Sequence, residues 1–149
     1  MAKFQYRLQN ILNIKFKMEE LAKQEFSAAR QALDEEEAIL SGLLARKQEY
    51  EDQARKLREG TLYVKRLEEN KNAISTMERF VSAQRIRVAK AREHLEEARA
   101  RMAEAVMERK TQEKLKENAF EEFLQEENRT ERIGIDELTS YTYGQKQEG

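Results

Sequence analysis

Residues 22–57 read AKQEFSAARQALDEEEAILSGLLARKQEYEDQARKL, and residues 63–102 read YVKRLEENKNAISTMERFVSAQRIRVAKAREHLEEARARM. One stripe repeats through the first stretch in steps of four and three: Ala22, Phe26, Ala29, Leu33, Glu36, Leu40, Leu43, Lys47, Tyr50, Ala54, Leu57. The second stretch carries its counterpart: Tyr63, Leu67, Asn70, Ile74, Met77, Val81, Gln84, Val88, Ala91, Leu95, Ala98, Met102. That spacing keeps a single helical stripe against a partner helix in a left-handed coiled coil. Gly60 lies between the two stretches, and glycine takes the left-handed conformation that ends a helix at no steric cost. The expected fold is therefore all-α, two long helices in one antiparallel coiled-coil hairpin over 1–149. Helix one is expected over about 3–58, the turn near 60 and helix two over about 62–131. At ~1.5 Å per residue the paired part would make a rod of roughly 80 Å.

The two stripes fit each other when the chain is folded at Gly60. Leu57 then meets Tyr63, Leu43 meets Met77, Leu40 meets Val81, Leu33 meets Val88 and Phe26 meets Leu95. The polar members also sort into pairs. Glu36 falls opposite Gln84, a matched polar layer that sets register because any slide would bury one of them against an apolar neighbour. Asn70 falls opposite Tyr50, within reach of its hydroxyl. Lys47 falls opposite Ile74, which its stem covers while the ammonium stays in water.

Composition agrees with this reading and limits the function. Charged residues make up 38% of the chain and hydrophobic ones 39%, a balance typical of long helices rather than of a globular core. With no proline, nothing forces a break in either helix. Cysteine is absent, which removes disulfide and thiol chemistry and suits a reducing compartment. A formal net charge of -1 gives no general pull toward nucleic acid or anionic lipid. No apolar run is long enough to span a bilayer, and the first residues lack the apolar stretch of a secretory signal, so the expected location is cytoplasmic.

The hairpin arithmetic brings both termini to one end. Residue 3 pairs with about residue 117, so helix two projects beyond the N-terminus with Phe120, Phe123 and Leu124 uncovered, and onward to Ile133, Ile135 and Leu138. Helix one begins with an apolar arc wider than a single seam. Phe4, Leu8, Ile11 and Met18 are expected to face helix two, Leu12 and Phe16 to spread to one side, Ile14 and Leu21 to the other, and Tyr6 to point away. The tail 134–149 reads as poorly ordered. Mid-chain, Ile39 and Phe80 flank the seam and, with the edges of Leu43, Tyr50, Ala73 and Met77, are expected to form an exposed apolar patch of the kind that marks a partner site.

Catalytic chemistry finds no foothold in the sequence. There is no glycine-rich phosphate loop, no cysteine pair and no Ser-His-Asp set, and a two-helix rod offers no cleft in which to exclude water. His94 is a single histidine on the seam flank, too little for a metal site, so no metal or cofactor is expected. Arg85, Arg87, Lys90 and Arg92 lack interleaved aromatics and are balanced by Glu78, Glu93, Glu96 and Glu97, which favours a solvated flank over a nucleic-acid stripe.

The start, Phe4-Gln-Tyr6-Arg7-Leu8-Gln-Asn-Ile11-Leu12-Asn-Ile14-Lys15, resembles the N-terminal signature of the flagellar FliJ proteins. So do Glu113-Lys-Leu115-Lys116, then Glu127, Arg129 and Glu131, and Ile135-Asp136-Glu137, where Gly134 replaces a lysine often found in that family. The resemblance implies a non-enzymatic stalk or adaptor of the type III export apparatus, soluble and peripheral at the cytoplasmic face of the flagellar base. It implies that the end with both termini enters the ring of the export ATPase and promotes its assembly and activity. Matched onto this chain, that end comprises Phe4, Arg7, Leu8, Ile11, Lys15, Leu115, Lys116, Phe120, Phe123, Arg129 and Arg132. It also implies that a mid-rod surface, matched to Ile39, Leu43, Tyr50, Ala73, Met77 and Phe80, meets the cytoplasmic domain of the export-gate membrane protein, and that export chaperones are further partners. Two other readings stay open at this level: an export chaperone that holds substrates along its apolar flank, and a self-associating structural coiled coil.

Overall fold

A computed structural model describes residues 2–148, with side chains described through residue 144. It contains two helices, α1 (Gln9–Leu57) and α2 (Val64–Glu148). Packing divides the chain into two compact units. One is the central unit Leu21–Ala103; the other joins the chain up to Glu20 with the chain from Glu104.

In the central unit the two helices pack along the heptad stripes. Ala22, Ala54, Met77, Val81, Val88, Leu95 and Ala98 are each 9% exposed or less. Phe26, Ala29, Leu33, Leu40, Leu43, Leu57, Leu67 and Ile74 are half-buried beside them. Burying a Val or Leu side chain in such a seam stabilises by roughly 1.5–3 kcal/mol, and the small alanines let the helices approach. Tyr63 departs from the expected stripe. It precedes the first turn of α2, is 55% exposed, and lies under the Arg66 guanidinium at 5.0 Å.

Two polar layers cross this seam. Gln84 Nε2 donates to the Glu36 backbone carbonyl at 2.9 Å and also to the Glu36 carboxylate. Asn70 Nδ2 donates to the Tyr50 backbone carbonyl at 2.9 Å, not to the hydroxyl. The carbonyl is closer to the seam than the end of the long tyrosine ring, so it is the nearer acceptor. Lys47 turns along its own helix, 3.7 Å from Glu51. At the rim Arg92 meets Glu37 and Arg101 meets Glu25, both at 3.3 Å, exposed pairs worth about 0–1 kcal/mol each.

The Glu36–Gln84 layer yields a stability prediction. Gln84→Leu leaves the Glu36 carboxylate against an apolar neighbour, and the melting temperature followed by circular dichroism is expected to fall by about 5 °C. Adding Glu36→Leu should restore or exceed the parent value, because an apolar layer costs nothing to desolvate. A single variant that melts no lower than the parent would remove the layer from the stability of this unit.

Gly60 ends the first helix with φ +75°, the left-handed region. Arg58 N and Glu59 N bond back to Arg55 O and Lys56 O, tightening the last turn. Arg55 and Lys56 complement the helix dipole there. The outer helix limits differ from expectation at both ends of the chain. α1 begins at Gln9 rather than at residue 3, and the residues before it instead seat Phe4 against two rings of α2. α2 runs past 131 and through Gly134 to Glu148. One glycine costs a helix only about 1 kcal/mol, too little to stop it where no proline follows. Thr130 and Thr142 hydroxyls bond to the carbonyls of Glu126 and Leu138 along the way.

Candidate functional site

The terminal unit places the two ends of the sequence side by side. Residues 2–6 precede the helix, and Phe4 sets its ring between two rings of α2. The Phe4 centroid lies 5.1 Å from Phe120 in an edge-on arrangement and 5.3 Å from Phe123. Outside a helix the chain is not held to a rise of about 1.5 Å per residue, so Phe4 reaches Phe120 and Phe123 instead of the region near 117 that helical pairing predicts. Phe120 and Phe123 are therefore not left uncovered, although Phe120 is still 42% exposed.

Three further placements correct the sequence reading. Leu12 is the most buried residue of this part of α1, at 2%, while Leu8, Ile11 and Met18 are 36–46% exposed. The reason is the seam itself: Leu12, Lys15 and Glu19 keep the three–four step, and they occupy the buried and half-buried positions. Tyr6 does not point away. Its hydroxyl is buried and, like Gln112 Oε1, has no hydrogen-bond partner among the described residues.

Charge substitutes for apolar packing at the next seam layer. Glu19 is 5% exposed, and Arg109 holds it with Nε donating to Oε2 at 2.6 Å and Nη2 to Oε1 at 3.2 Å. Arg109 Nη1 also donates to Glu113 at 2.8 Å, and the guanidinium stacks 5.7 Å from the Phe16 ring centre. The hydrogen bonds to Glu19, then those to Glu113, raise the Arg109 pKa above its already high ordinary value, so it carries its charge at any working pH. Lys15 Nζ donates to Glu108 at 2.9 Å. This network escaped the sequence reading, although the seam spacing carried on to Glu19 would have found it.

Among its exposed charges this unit also presents apolar side chains. Ile11, Ile14 and Met18 repeat at three and four and are 39–57% exposed, a second stripe beside the buried one. α2 adds Leu115, Phe120 and Leu124 at 42–45%, then Ile133, Ile135 and Leu138 at 48–68%. Arg7, Arg129 and Arg132 are exposed, whereas Lys116 is half-buried and Lys15 is engaged with Glu108. The clasp itself is testable. Phe4→Ala removes both ring contacts, each worth about 0.5–1.5 kcal/mol. Amide exchange in residues 2–20 and 115–125 is expected to quicken about tenfold while the central unit is unchanged; equal quickening in both units would argue against a local clasp.

In the central unit, Ile39 and Phe80 are each 50% exposed. Leu43, Tyr50 and Ala73 are half-buried, and Met77, at 8%, belongs to the seam rather than to the surface. His94 is exposed on α2, and no group of three or more His, Cys, Asp or Glu among the described residues is placed to hold a metal. Among those residues no helix is long and apolar enough to cross a membrane.

The sequence matches the family described as Flagellar FliJ protein across residues 4–148. Among solved structures, the chain is similar to one described as a YscO homolog from Chlamydia trachomatis, with 22% identity, a TM-score of 0.65 and 99% of each chain covered. At that identity the likeness is one of fold. Comparison with curated proteins gives no match.

Proposed function

From the premise that the chain belongs to the flagellar FliJ family, and so to the type III export apparatus, we propose that it is a non-enzymatic stalk whose terminal unit docks in the ring of the export ATPase and promotes its assembly and turnover. The observation that carries this reading is the apolar surface of that unit. Leu8, Ile11, Ile14, Met18, Leu115, Phe120 and Leu124 are all 36–57% exposed on a framework held by the Phe4 clasp and the Arg109 network. Exposed large apolar side chains in this number suit a binding surface, and Arg7, Arg129 and Arg132 supply charges that orient it in a ring lumen.

The central unit takes the second role in this proposal. Ile39 and Phe80, backed by Leu43, Tyr50 and Ala73, form the surface for the cytoplasmic domain of the export gate. α1 and α2 each run unbroken along the sequence between the residues of the two surfaces. The protein then acts at the cytoplasmic face of the flagellar base, where export chaperones are further partners.

The test is the hydrolysis rate of the purified flagellar export ATPase with and without the chain. A rise of several-fold that saturates with added chain is expected. An unchanged rate together with binding of unfolded export substrates would replace the stalk with a chaperone.

A further inference from the structure

The turn between the helices carries a surface that the proposed partners leave unused. Leu62, Tyr63 and Val64 are consecutive and are 59%, 55% and 69% exposed. They follow Gly60, whose left-handed φ ends α1, and they sit at the very start of α2, so neither seam covers them. Around them stand Arg55, Lys56, Arg58, Lys65 and Arg66, all exposed, against the single acid Glu59. Twelve residues thus hold five of the chain's 28 cations and one of its 29 acids, while the chain as a whole is net negative.

We propose that this turn, residues 55–66, is a membrane-surface contact that seats Leu62, Tyr63 and Val64 in the headgroup boundary of an anionic bilayer. Three points of chemistry favour a lipid surface over an acidic protein. The apolar side chains are adjacent in sequence and only Val64, the first residue of α2, is helical, so they form no stripe for a partner helix, whereas a fluid interface accepts them in any direction. Tyrosine settles at the headgroup level with its ring in the acyl boundary and its hydroxyl in water, and Arg66 already caps this ring at 5.0 Å. Lasting attachment needs two signals, and a polybasic cluster beside an apolar wedge supplies both. Asp52, Glu68 and Glu69 do not cancel the attraction. They stand further along the helices than Arg58, Lys65 and Arg66, and Asp52 is paired with Arg55, so the charge nearest the tip is positive. The inference depends on neither the ATPase ring nor the gate as partner.

The chain contains no tryptophan, so Tyr63→Trp makes a sole fluorescent reporter at the tip of the full-length protein. Phosphatidylcholine vesicles containing phosphatidylglycerol are expected to shift its emission to the blue, and vesicles of phosphatidylcholine alone are not. Each cation removed should weaken partition about fivefold, so Lys56→Gln with Lys65→Gln should weaken it roughly 25-fold. Leu62→Ser with Val64→Ser should abolish the blue shift at unchanged helicity, and flotation of the unmodified chain with the same vesicles reads binding independently of the reporter. No flotation with the anionic vesicles would overturn the proposal. Absence of a blue shift with vesicles, together with tight binding to poly-glutamate, would also overturn it and assign the turn to an acidic protein.

Discussion

Removing the chain from Leu115 onward is expected to return the export ATPase to its unstimulated rate while the central unit Leu21–Ala103 keeps its helicity and its melting transition. The deletion takes away Leu115, Phe120 and Leu124 from the exposed surface, and Arg129 and Arg132 from its rim. It also removes both rings that hold Phe4, so residues 2–6 lose their seat. Surface loss and framework loss are thus combined in one variant, and a second one separates them. Ile14 is 57% and Leu124 44% exposed, and neither supports the clasp or the Arg109 network. Ile14→Asp with Leu124→Asp should therefore leave the fold intact. If both are docking anchors, each costs about 2 kcal/mol of binding, and the concentration of chain needed for half-stimulation should rise at least 100-fold. A truncated chain that still stimulates fully would take the working end out of the terminal unit.

The heptad stripes were readable because each member obeys one rule, the alternation of three and four, and because apolar side chains at that spacing have nowhere to go but a partner helix. Every residue from Ala22 to Leu57 on that stripe, and from Leu67 to Met102 on its counterpart, is buried or half-buried. The terminal unit was less readable for two physical reasons. Its first residues precede the helix, and a non-helical segment changes the register arithmetic on which the pairing of Phe4 depended. Its seam is also polar, with Lys15, Glu19, Arg109 and Lys116 at positions where a hydropathy pattern sees only solvated charge. Hydropathy cannot show that Glu19 is 5% exposed; pairing with Arg109 helps to make its burial tolerable. Apolar residues displaced from the seam, Ile11 and Met18 among them, form the outer stripe instead. The mid-chain patch lies between these cases. The exposure of Ile39 and Phe80 follows from their flanking positions, whereas Met77, which the spacing places in the seam, is 8% exposed and lends the patch almost no edge.

That distinction decides how the gate contact should be tested. Met77→Asp would bury a charge in the seam and unfold the central unit, so loss of binding in that variant would carry no information about the surface. Ile39→Asp and Phe80→Asp place charges at positions that are half exposed, where water solvates them. Helicity and melting temperature should be close to those of the parent. If the two side chains are the apolar anchors of the contact, each substitution costs about 2 kcal/mol, roughly 30-fold in affinity, and the double variant should lose binding to the purified cytoplasmic domain of the export gate at any practical concentration in titration calorimetry. Stimulation of the ATPase should be unaffected, because the residues proposed for that task belong to the terminal unit. Loss of both activities in a variant that remains folded would show that one surface serves both partners. Retention of gate binding would move the contact away from Ile39 and Phe80, and would leave their exposure without a partner.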